Sequence, residues 1–335
     1  AGVSVATVSR VLNNSRYVSQ DTRETVVAAI RKLNYYINLP ARALKTRKTG
    51  RIGVIVPDIG NPFWASVVKG IEHEVVQQGY HVLLCNTDET PSLEAAYIRM
   101  MRETWVDGVI IATAGGNDDL IYECGKDGPP VVLMDRRLDR PDVPADMVAL
   151  DNLGGIYRAV RYLHDLGHRR IGMITGPVSI TPGRERLDGY RKAMEALGLP
   201  KDESLVAEGN FKRDSGYELA LRFLALDRRP TAIVVANNVM ATGAIKAIRE
   251  AGLRIPEDVS VISFDDTVFA EIVHPPLTVV APPSNEMGLT AGQLITERLA
   301  LRVVPISYRE VILKPSFIER QSCSPPACDS TGRSE

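Results

Sequence analysis

The sequence predicts an α/β protein in which a small all-α segment precedes two doubly wound parallel α/β lobes. From Arg51 onward, apolar β-branched runs alternate with amphipathic stretches, a pattern typical of a parallel sheet covered by helices. This alternation occurs in two successive series, and at 335 residues the chain is longer than one hydrophobic core usually supports. Before Arg51, apolar residues recur at helical spacing, which indicates a separate helical segment.

The composition is that of an ordinary globular protein, with 44% apolar and 24% charged residues. No run approaches the roughly 20 apolar residues of a membrane helix, and the first residues lack a secretory signal pattern. We therefore expect a cytoplasmic protein with no membrane partner. Cys323 and Cys328 lack the second ligand pair of a zinc site. We expect no metal, no cofactor and a disordered tail over residues 322–335.

Charge is distributed unevenly along the chain. Residues 1–50 carry nine basic and two acidic residues, a net charge of +7, whereas the whole chain carries −1, so the remainder carries −8. A compact basic segment on an acidic body is typical of a nucleic-acid-binding module, because each neutralised phosphate releases counterions. A solvated basic tail is the alternative, although the segment is not of low complexity.

Two short helices are predicted inside this basic segment. Ser4 is a suitable N-cap for the first, which begins at Val5 and has one apolar face. The other face carries small or hydrogen-bonding side chains of the kind that read base edges in a major groove, namely Ala6, Thr7, Ser9, Arg10 and Asn13. The second helix begins after Ser19, whose hydroxyl is its expected cap, and continues to Leu33.

The segment resembles the helix-turn-helix of the LacI/GalR regulators, since it reads AGVSVATVSRVLNN followed by YVSQDTRETVVAAIRKLNYY. The resemblance implies that Val5 and Ala6 occupy the variable base-reading positions. It also implies a set of side chains that hold phosphates or reach further bases, namely Thr7, Ser9, Arg10 and Asn13. Family members begin with a further helix, so residues 1–36 are expected to form a truncated helix-turn-helix domain.

Residues 37–50, INLPARALKTRKTG, resemble the hinge of that family, which folds on DNA and inserts a leucine into the minor groove. The resemblance places Leu44 at the wedge position, with Lys45 beside it as a DNA contact. Such insertion costs a few kcal/mol of unstacking, offset by the surface that the bent duplex then meets. In the alternative interpretation, Leu44 packs on the neighbouring domain.

The predicted strands of the body fall into two matched series of five. The first series is Ile52–Val56, His81–Cys85, Val109–Ala112, Val131–Met134 and Val148–Leu150. The second series is Ile171–Thr175, Leu205–Glu208, Ile233–Ala236, Val259–Phe264 and Leu277–Val280. Helices are predicted near 62–78, 92–104, 184–197, 215–225 and 239–251.

Two such lobes leave a cleft at the carboxyl ends of their strands, where open parallel sheets bind ligands. This layout resembles the periplasmic sugar-binding-protein fold that LacI/GalR regulators use as a sensor. The sensor is expected over residues 51–321. Its first lobe is expected over about 51–152 plus 282–304, and its second over about 153–281 plus 305–321.

Polar and aromatic side chains gather at the predicted strand ends. Asp58, Asn61, Phe63 and Trp64 follow the first strand and combine acceptors with an aromatic floor, although Asn61 before a proline is also good turn chemistry. Asp135 and Asp265 each follow an apolar strand and are suited to accept pairs of hydroxyl hydrogen bonds. The resemblance adds three effector positions, Arg186, Phe211 and Asn237.

These residue types favour a neutral sugar, with a pentose such as ribose first. A sugar acid or phosphate stays open, because Arg136 and Arg137 follow Asp135. Asn238 and Pro282 depart from the family pattern, where an Asp and a hydrogen-bonding side chain are usual.

The sequence therefore predicts a non-enzymatic transcriptional regulator, by its resemblance a repressor, that binds a pseudo-palindromic operator as a homodimer under control of a sugar-like effector. An enzyme is the first alternative, but neither a dinucleotide-binding glycine motif nor a Walker motif is present. A transport-type sugar-binding protein is the second, and it would need an export signal in place of the basic segment.

Overall fold

The computed structural model describes residues 1–13, 17–33, 48–140, 142–301 and 307–327. The chain divides into two compact units, with the boundary between Thr49 and Gly50. Within the described ranges, no helix is long and apolar enough to cross a membrane. The α/β fold class predicted from the sequence is confirmed.

The first unit consists of two packed helices, α1 over Val5–Asn13 and α2 over Gln20–Lys32. Val11 on α1 and Val26 on α2 are buried, whereas Val5 is 87% exposed. Each helix therefore has one packed side, and α1 leaves the start of its other side open to solvent.

The two helices begin differently. The Ser4 Oγ accepts a hydrogen bond from the backbone N–H of Thr7 at 3.2 Å, as expected of an N-cap. The predicted hydroxyl cap at Ser19 is wrong. Its Oγ bonds the Thr22 hydroxyl at 2.8 Å and accepts no backbone N–H of the first turn, while the Ser19 carbonyl accepts the Arg23 N–H at 2.9 Å.

The second unit contains twelve strands among its described residues. In chain order they are β1 Arg51–Val56, β2 His81–Asn86, β3 Gly108–Ile111, β4 Val131–Met134, β5 Ala145–Leu150, β6 Ile171–Thr175, β7 Val206–Glu208, β8 Ala232–Val235, β9 Ser260–Phe264, β10 Thr278–Ala281, β11 Glu310–Leu313 and β12 Ser316–Ile318. The ten predicted strands are all present, with small shifts at their ends.

The helices of the second unit connect and cover these strands. They are α3 Pro62–Gln77, α4 Pro91–Glu103, α5 Asp118–Asp127, α6 Asn152–Asp165, α7 Thr181–Ala196, α8 Arg213–Leu224, α9 Asn238–Glu250, α10 Val268–Ile272 and α11 Ser284–Ala300. Helices α5, α6, α10 and α11 were not predicted. A pair of glycines opens α6 and two more lie in α11, which weakens the helical signal of both.

The strands form two separate sheets, one per lobe. Lobe 1 has the order β11-β5-β4-β3-β1-β2 and lobe 2 the order β12-β10-β9-β8-β6-β7. All pairings between the described strands are parallel except that of β12 with β10. The central strands are buried on both faces, because helices cover each sheet on both sides. The carboxyl ends of both sheets are therefore free to form a site.

Close helix packing supports lobe 1 behind that site. A Cβ on Gly70 of α3 would lie 2.3 Å from the backbone oxygen of Asn285. A Cβ on Gly288 of α11 would lie 2.0 Å from the backbone oxygen of Val67. The two helices approach so closely that only glycine fits at these positions.

The predicted division between the lobes is wrong near the C-terminus. Residues 305–321 were assigned to lobe 2, but β11 pairs in parallel with β5 of lobe 1. The chain then crosses back, and β12 joins the sheet of lobe 2. This crossover was not predicted because both strands are only three or four residues long and partly exposed.

The predicted disordered tail is also wrong over residues 322–327. Ser322 is fully buried: its Oγ donates to the Val261 carbonyl at 2.6 Å and accepts the Thr278 N–H at 2.8 Å. The Nε2–H of His168 donates to the Ser324 carbonyl at 2.9 Å. This segment therefore packs against the amino ends of β9 and β10 in the lobe 2 sheet. Residues 328–335, including Cys328, lie outside the described residues.

The stability of this C-terminal segment depends on pH through His168. Burial lowers the pKa of His168, so the folded protein favours the neutral imidazole. As the pH falls through about 6.5, the unfolded chain binds a proton that the folded chain resists, and the free energy of unfolding decreases. We expect His168→Gln to reduce this decrease, measured as the difference between urea unfolding at about pH 7.5 and about pH 5.5.

The matched control is His73→Gln, at an exposed position on α3. It should retain the pH dependence of the parent protein. An identical pH dependence in His168→Gln and the parent protein would contradict the assignment.

Candidate functional site

The carboxyl ends of the two sheets face a cleft of about 450 Å³, part of it open to solvent. All nine residues predicted to bind an effector line this one cleft, namely Asp58, Asn61, Phe63, Trp64, Asp135, Arg186, Phe211, Asn237 and Asp265. Four further residues line the cleft, namely Glu89, Arg136, Pro182 and Lys212, and of these the sequence indicated only Arg136, as a source of positive charge.

The backbone is strained where it enters this cleft. Six non-glycine residues in the described part of the chain have left-handed φ angles, and five of them follow strand ends: Asp88, Glu89, Asp135, Phe211 and Asp265. Such a conformation costs on the order of 1–3 kcal/mol per residue, less for aspartate. Four of these five residues line the cleft, and strain of this kind is common at functional sites.

Arg186 of α7 is the central cation of the cleft and is only 4% exposed. Its Nε donates to the Asn152 Oδ1 at 2.9 Å, and its Nη1 donates to the Ala236 carbonyl. Its guanidinium lies 3.7 Å from the centre of the Phe264 ring. These contacts fix the plane of the guanidinium, so its direction toward the cleft is set before any ligand binds.

Asp135 of lobe 1 and Asp265 of lobe 2 are both buried and both couple to Arg186. Burial raises the pKa of Asp135, and the charge of Arg186 opposes this. Burial also raises the pKa of Asp265 to about 6, against the opposing charge of Arg186, and the carboxylate of Asp135 adds to the rise. Two acids that share one arginine therefore offer acceptor oxygens to a ligand that brings hydroxyl donors.

Unpaired buried polar atoms concentrate at the cleft. In the described ranges, four buried side-chain atoms have no hydrogen-bond partner, and two of them are Asp135 Oδ1 and Arg136 Nε of the cleft wall. A third is the Oδ1 of Asn238. The Nδ2 of the same side chain donates to Oδ1 of the cleft residue Asn61 at 3.1 Å. An unpaired buried polar group costs about 1–3 kcal/mol, and a polar ligand in the cleft would supply the missing partners.

Each cation that lines the cleft already contacts or couples to a carboxylate. Arg136 binds Glu89 through two hydrogen bonds of 2.7 Å. Lys212 lies 2.8 Å from Asp58. Arg137, which was considered as a source of positive charge, does not line the cleft and pairs with Glu185 and Glu310 instead. No cation is therefore reserved for an anionic ligand among the lining residues described.

The apolar walls come from three aromatic side chains. Phe63 and Trp64 pack edge to face at 5.0 Å, and Trp64 is 4% exposed. The Phe211 ring occupies the space above Gly176, where a Cβ would lie 2.0 Å from it. Such surfaces suit the apolar face of a sugar ring.

Two predicted ligand contacts also have structural roles. Asn61 Oδ1 accepts the Phe63 N–H at 3.0 Å and caps α3, so the turn interpretation also holds for it. Asn237 Oδ1 caps α9 through the Met240 N–H, and its Nδ2 donates to the Phe211 carbonyl at 3.1 Å. Both amides retain hydrogen-bonding capacity beyond these contacts.

The residues predicted to read DNA begin on the open side of α1. Val5, Ala6, Ser9 and Arg10 are exposed, and Thr7 is half-buried against Ser4. The side chain of Asn13, and all of Leu44 and Lys45, lie outside the described residues. The structure thus places the central part of the predicted reading surface on one accessible helix and describes only residues 48–50 of the predicted hinge.

Similarity to known proteins covers nearly the whole chain. Residues 1–38 match the family described as bacterial regulatory proteins, lacI family, and residues 160–323 match the periplasmic binding protein-like domain. The HTH-type transcriptional regulator DegA of Bacillus subtilis is 38% identical over 97% of this chain and 96% of its own.

Solved structures of LacI family regulators are similar to this chain as well. The lac repressor dimer bound to operator and the anti-inducer ONPF has a TM-score of 0.84 and 28% identity over 96% of each chain. A LacI family regulator from Enterococcus faecium with bound ribose has a TM-score of 0.73 and 30% identity, covering 82% of this chain and 99% of that one.

The raised pKa of Asp265 makes its carboxylate a cost to folding at neutral pH. The protonated acid is favoured in the folded state, so this contribution to stability is present below about pH 4 and is lost as the pH rises through about 6. We expect Asp265→Asn to raise the free energy of unfolding at about pH 8 by about 1–3 kcal/mol, measured by urea unfolding without ligand.

Asp202→Asn is the control of opposite sign. Hydrogen bonds from Ser204 lower the pKa of Asp202, so its removal should destabilise the fold. A loss of stability in both variants would show that the Asp265 carboxylate is not a cost to the fold.

Proposed function

The chain belongs to the LacI family of bacterial regulatory proteins, and on that premise we propose that it is a repressor controlled by a neutral monosaccharide held between its two lobes, with a pentose such as ribose as the first candidate. The family membership establishes the coarser function. The protein is a DNA-binding transcriptional regulator, not an enzyme, that binds operator DNA and a small-molecule effector and acts as a dimer.

The charge balance of the cleft is the observation that carries the sugar proposal. Arg136 is neutralised by Glu89, Lys212 by Asp58, and Arg186 faces both Asp135 and Asp265. A ligand carboxylate or phosphate would meet an excess of acids in a buried site, where unpaired charge is expensive. A neutral polyol meets no such repulsion.

The unpaired atoms indicate how hydroxyl groups would bind. Asp135 Oδ1 is a free acceptor and Arg136 Nε a free donor, so hydroxyls that both donate and accept satisfy the pair. Phe63, Trp64 and Phe211 would then pack against the apolar side of the sugar ring. The bound ribose in the E. faecium relative supports the same size class.

On the DNA side, we propose that two copies of α1 lie in successive major grooves of a pseudo-palindromic operator. Val5 and Ala6 would contact base edges, with Thr7, Ser9, Arg10 and Asn13 around them. Residues 1–36 would form this domain. Residues 37–50 would form a hinge that places Leu44 in the minor groove with Lys45 beside it. Effector binding would shift the hinge and release the operator.

A thermal-shift panel tests the ligand class. We expect D-ribose or a related neutral pentose to raise the melting temperature, and ribose 5-phosphate and sugar acids to have no effect. Arg186→Ala should weaken binding of the active sugar roughly 10- to 100-fold, because a charged hydrogen-bond donor to the ligand is lost. Binding is measured by isothermal titration calorimetry.

Arg191→Ala is the matched control, since Arg191 lies on the same helix but outside the cleft lining and pairs with Glu203 of its own lobe. It should keep the affinity of the parent protein. A shift with the phosphate and none with any neutral sugar would reverse the proposed ligand class.

Operator binding tests the hinge. In the full-length protein that carries this sequence, with an operator selected from random duplexes, Leu44→Ala should weaken binding roughly 10-fold, because the minor-groove wedge is lost. Fluorescence anisotropy measures the affinity. Leu33→Ala, which alters another exposed leucine beside α2, is the control. Unchanged affinity together with a lower melting temperature in Leu44→Ala would favour packing on the neighbouring domain instead.

A further inference from the structure

Lys212 forms an ion pair across the cleft. It follows Phe211 at the start of α8 in lobe 2, and its Nζ lies 2.8 Å from Asp58 Oδ2 and 2.6 Å from Asp88 Oδ1. Both aspartates follow strands of lobe 1. Other side chains also cross between the lobes, such as Arg137 to Glu185, but neither of these lines the cleft. Lys212 and Asp58 do.

The backbone around Lys212 is fixed in lobe 2. Its N–H donates to Asn210 Oδ1 at 3.0 Å. The carbonyl of the preceding residue, Phe211, accepts from Asn237 Nδ2 at 3.1 Å. Phe211 has a left-handed φ of 62°, which turns the chain so that its ring and the lysine both face the cleft. The same turn therefore positions a cleft wall and the lysine.

The two acids of lobe 1 are also positioned in advance. Asp58 Oδ1 accepts the Gly60 N–H at 3.0 Å, which leaves Oδ2 for the lysine. Asp88 has a left-handed φ of 48°, and the next residue, Glu89, donates its N–H to the Pro57 carbonyl. Two separate loops thus bring one carboxylate each to the same ammonium group. An ion pair whose three members are each positioned by their own backbone contacts differs from a mobile pair on the surface.

We infer that Lys212 is a positioning residue that holds the two lobes closed over the effector and thereby sets how long the effector stays bound. The inference rests on the proposed role of the cleft as the effector site. A contact that exists only in the closed form lowers the free energy of that form, so it raises apparent affinity in proportion to the closed fraction. Because the lysine side chain is 37% exposed, salt weakens the contact.

Asp88 makes the inference testable, because it pairs with Lys212 but does not line the cleft. Lys212→Ala and Asp88→Asn should each raise the Kd for D-ribose roughly 3- to 10-fold, mainly through faster dissociation. The double variant should bind D-ribose no more weakly than the more affected single variant, since both changes remove the same Lys212–Asp88 contact. Lys246→Ala, whose ion pair with Glu250 lies within lobe 2, is the matched control and should change neither quantity.

A measurement without ligand separates this inference from the proposed function. The chain has two tryptophans, so Trp64 in the cleft is the sole reporter in a Trp105→Phe background. Acrylamide quenching of Trp64 should increase in Lys212→Ala and in Asp88→Asn. About 0.5 M KCl should increase it in the parent, less in Asp88→Asn, which keeps the contact with Asp58, and not in Lys212→Ala.

If no variant binds D-ribose but the quenching changes as expected, the ligand proposal fails and the closure role stands. Unchanged quenching in both variants would overturn the closure role. So would a loss of ribose binding in Lys212→Ala with Asp88→Asn unaffected, because Lys212 would then act by touching the ligand.

Discussion

A buried arginine coupled to two buried aspartates is the interaction on which the cleft depends. The group carries one positive and two negative charges in a medium that solvates charge poorly, so all three side chains must be held in place together. The protein does this with contacts from several elements. Asn152 and the Ala236 carbonyl fix Arg186, and the ring of Phe264 supports its guanidinium. Asp135 belongs to lobe 1 and Asp265 to lobe 2, so the charge of Arg186 attracts one carboxylate from each lobe.

The cleft is costly to the fold in the ways that functional sites commonly are. Strand ends turn through left-handed conformations at Asp135, Phe211 and Asp265, and the fold keeps Asp135 Oδ1 and Arg136 Nε without partners. The two well-packed sheets behind the cleft, with cores of fully buried aliphatic side chains, offset these costs. A ligand rich in hydroxyl groups would recover part of them, and that recovery is available as binding energy. The proposed sugar and the strained backbone therefore have one physical explanation.

Residues close together in the sequence could be interpreted well, and distant partners could not. The rule that parallel strands deliver side chains to their carboxyl edge located Asp58, Asp135 and Asp265, and the family resemblance located Arg186. Neither indicated that Arg136 is neutralised by Glu89, which lies 47 residues away, or that Lys212 reaches Asp58 over 154 residues. Without those partners, the sign of the ligand charge stayed open at the level of sequence.

By itself the sequence determined the class of protein, the helical unit that precedes the body, and the alternation of strands and helices in two lobes. These depend on local periodicity, which the chain carries in every short window. Only the tertiary structure decided that β11 belongs to lobe 1, that residues 322–327 pack on lobe 2, and that every cation of the cleft is matched by an acid. These depend on contacts between distant segments, whose register and charge pairing no local pattern records.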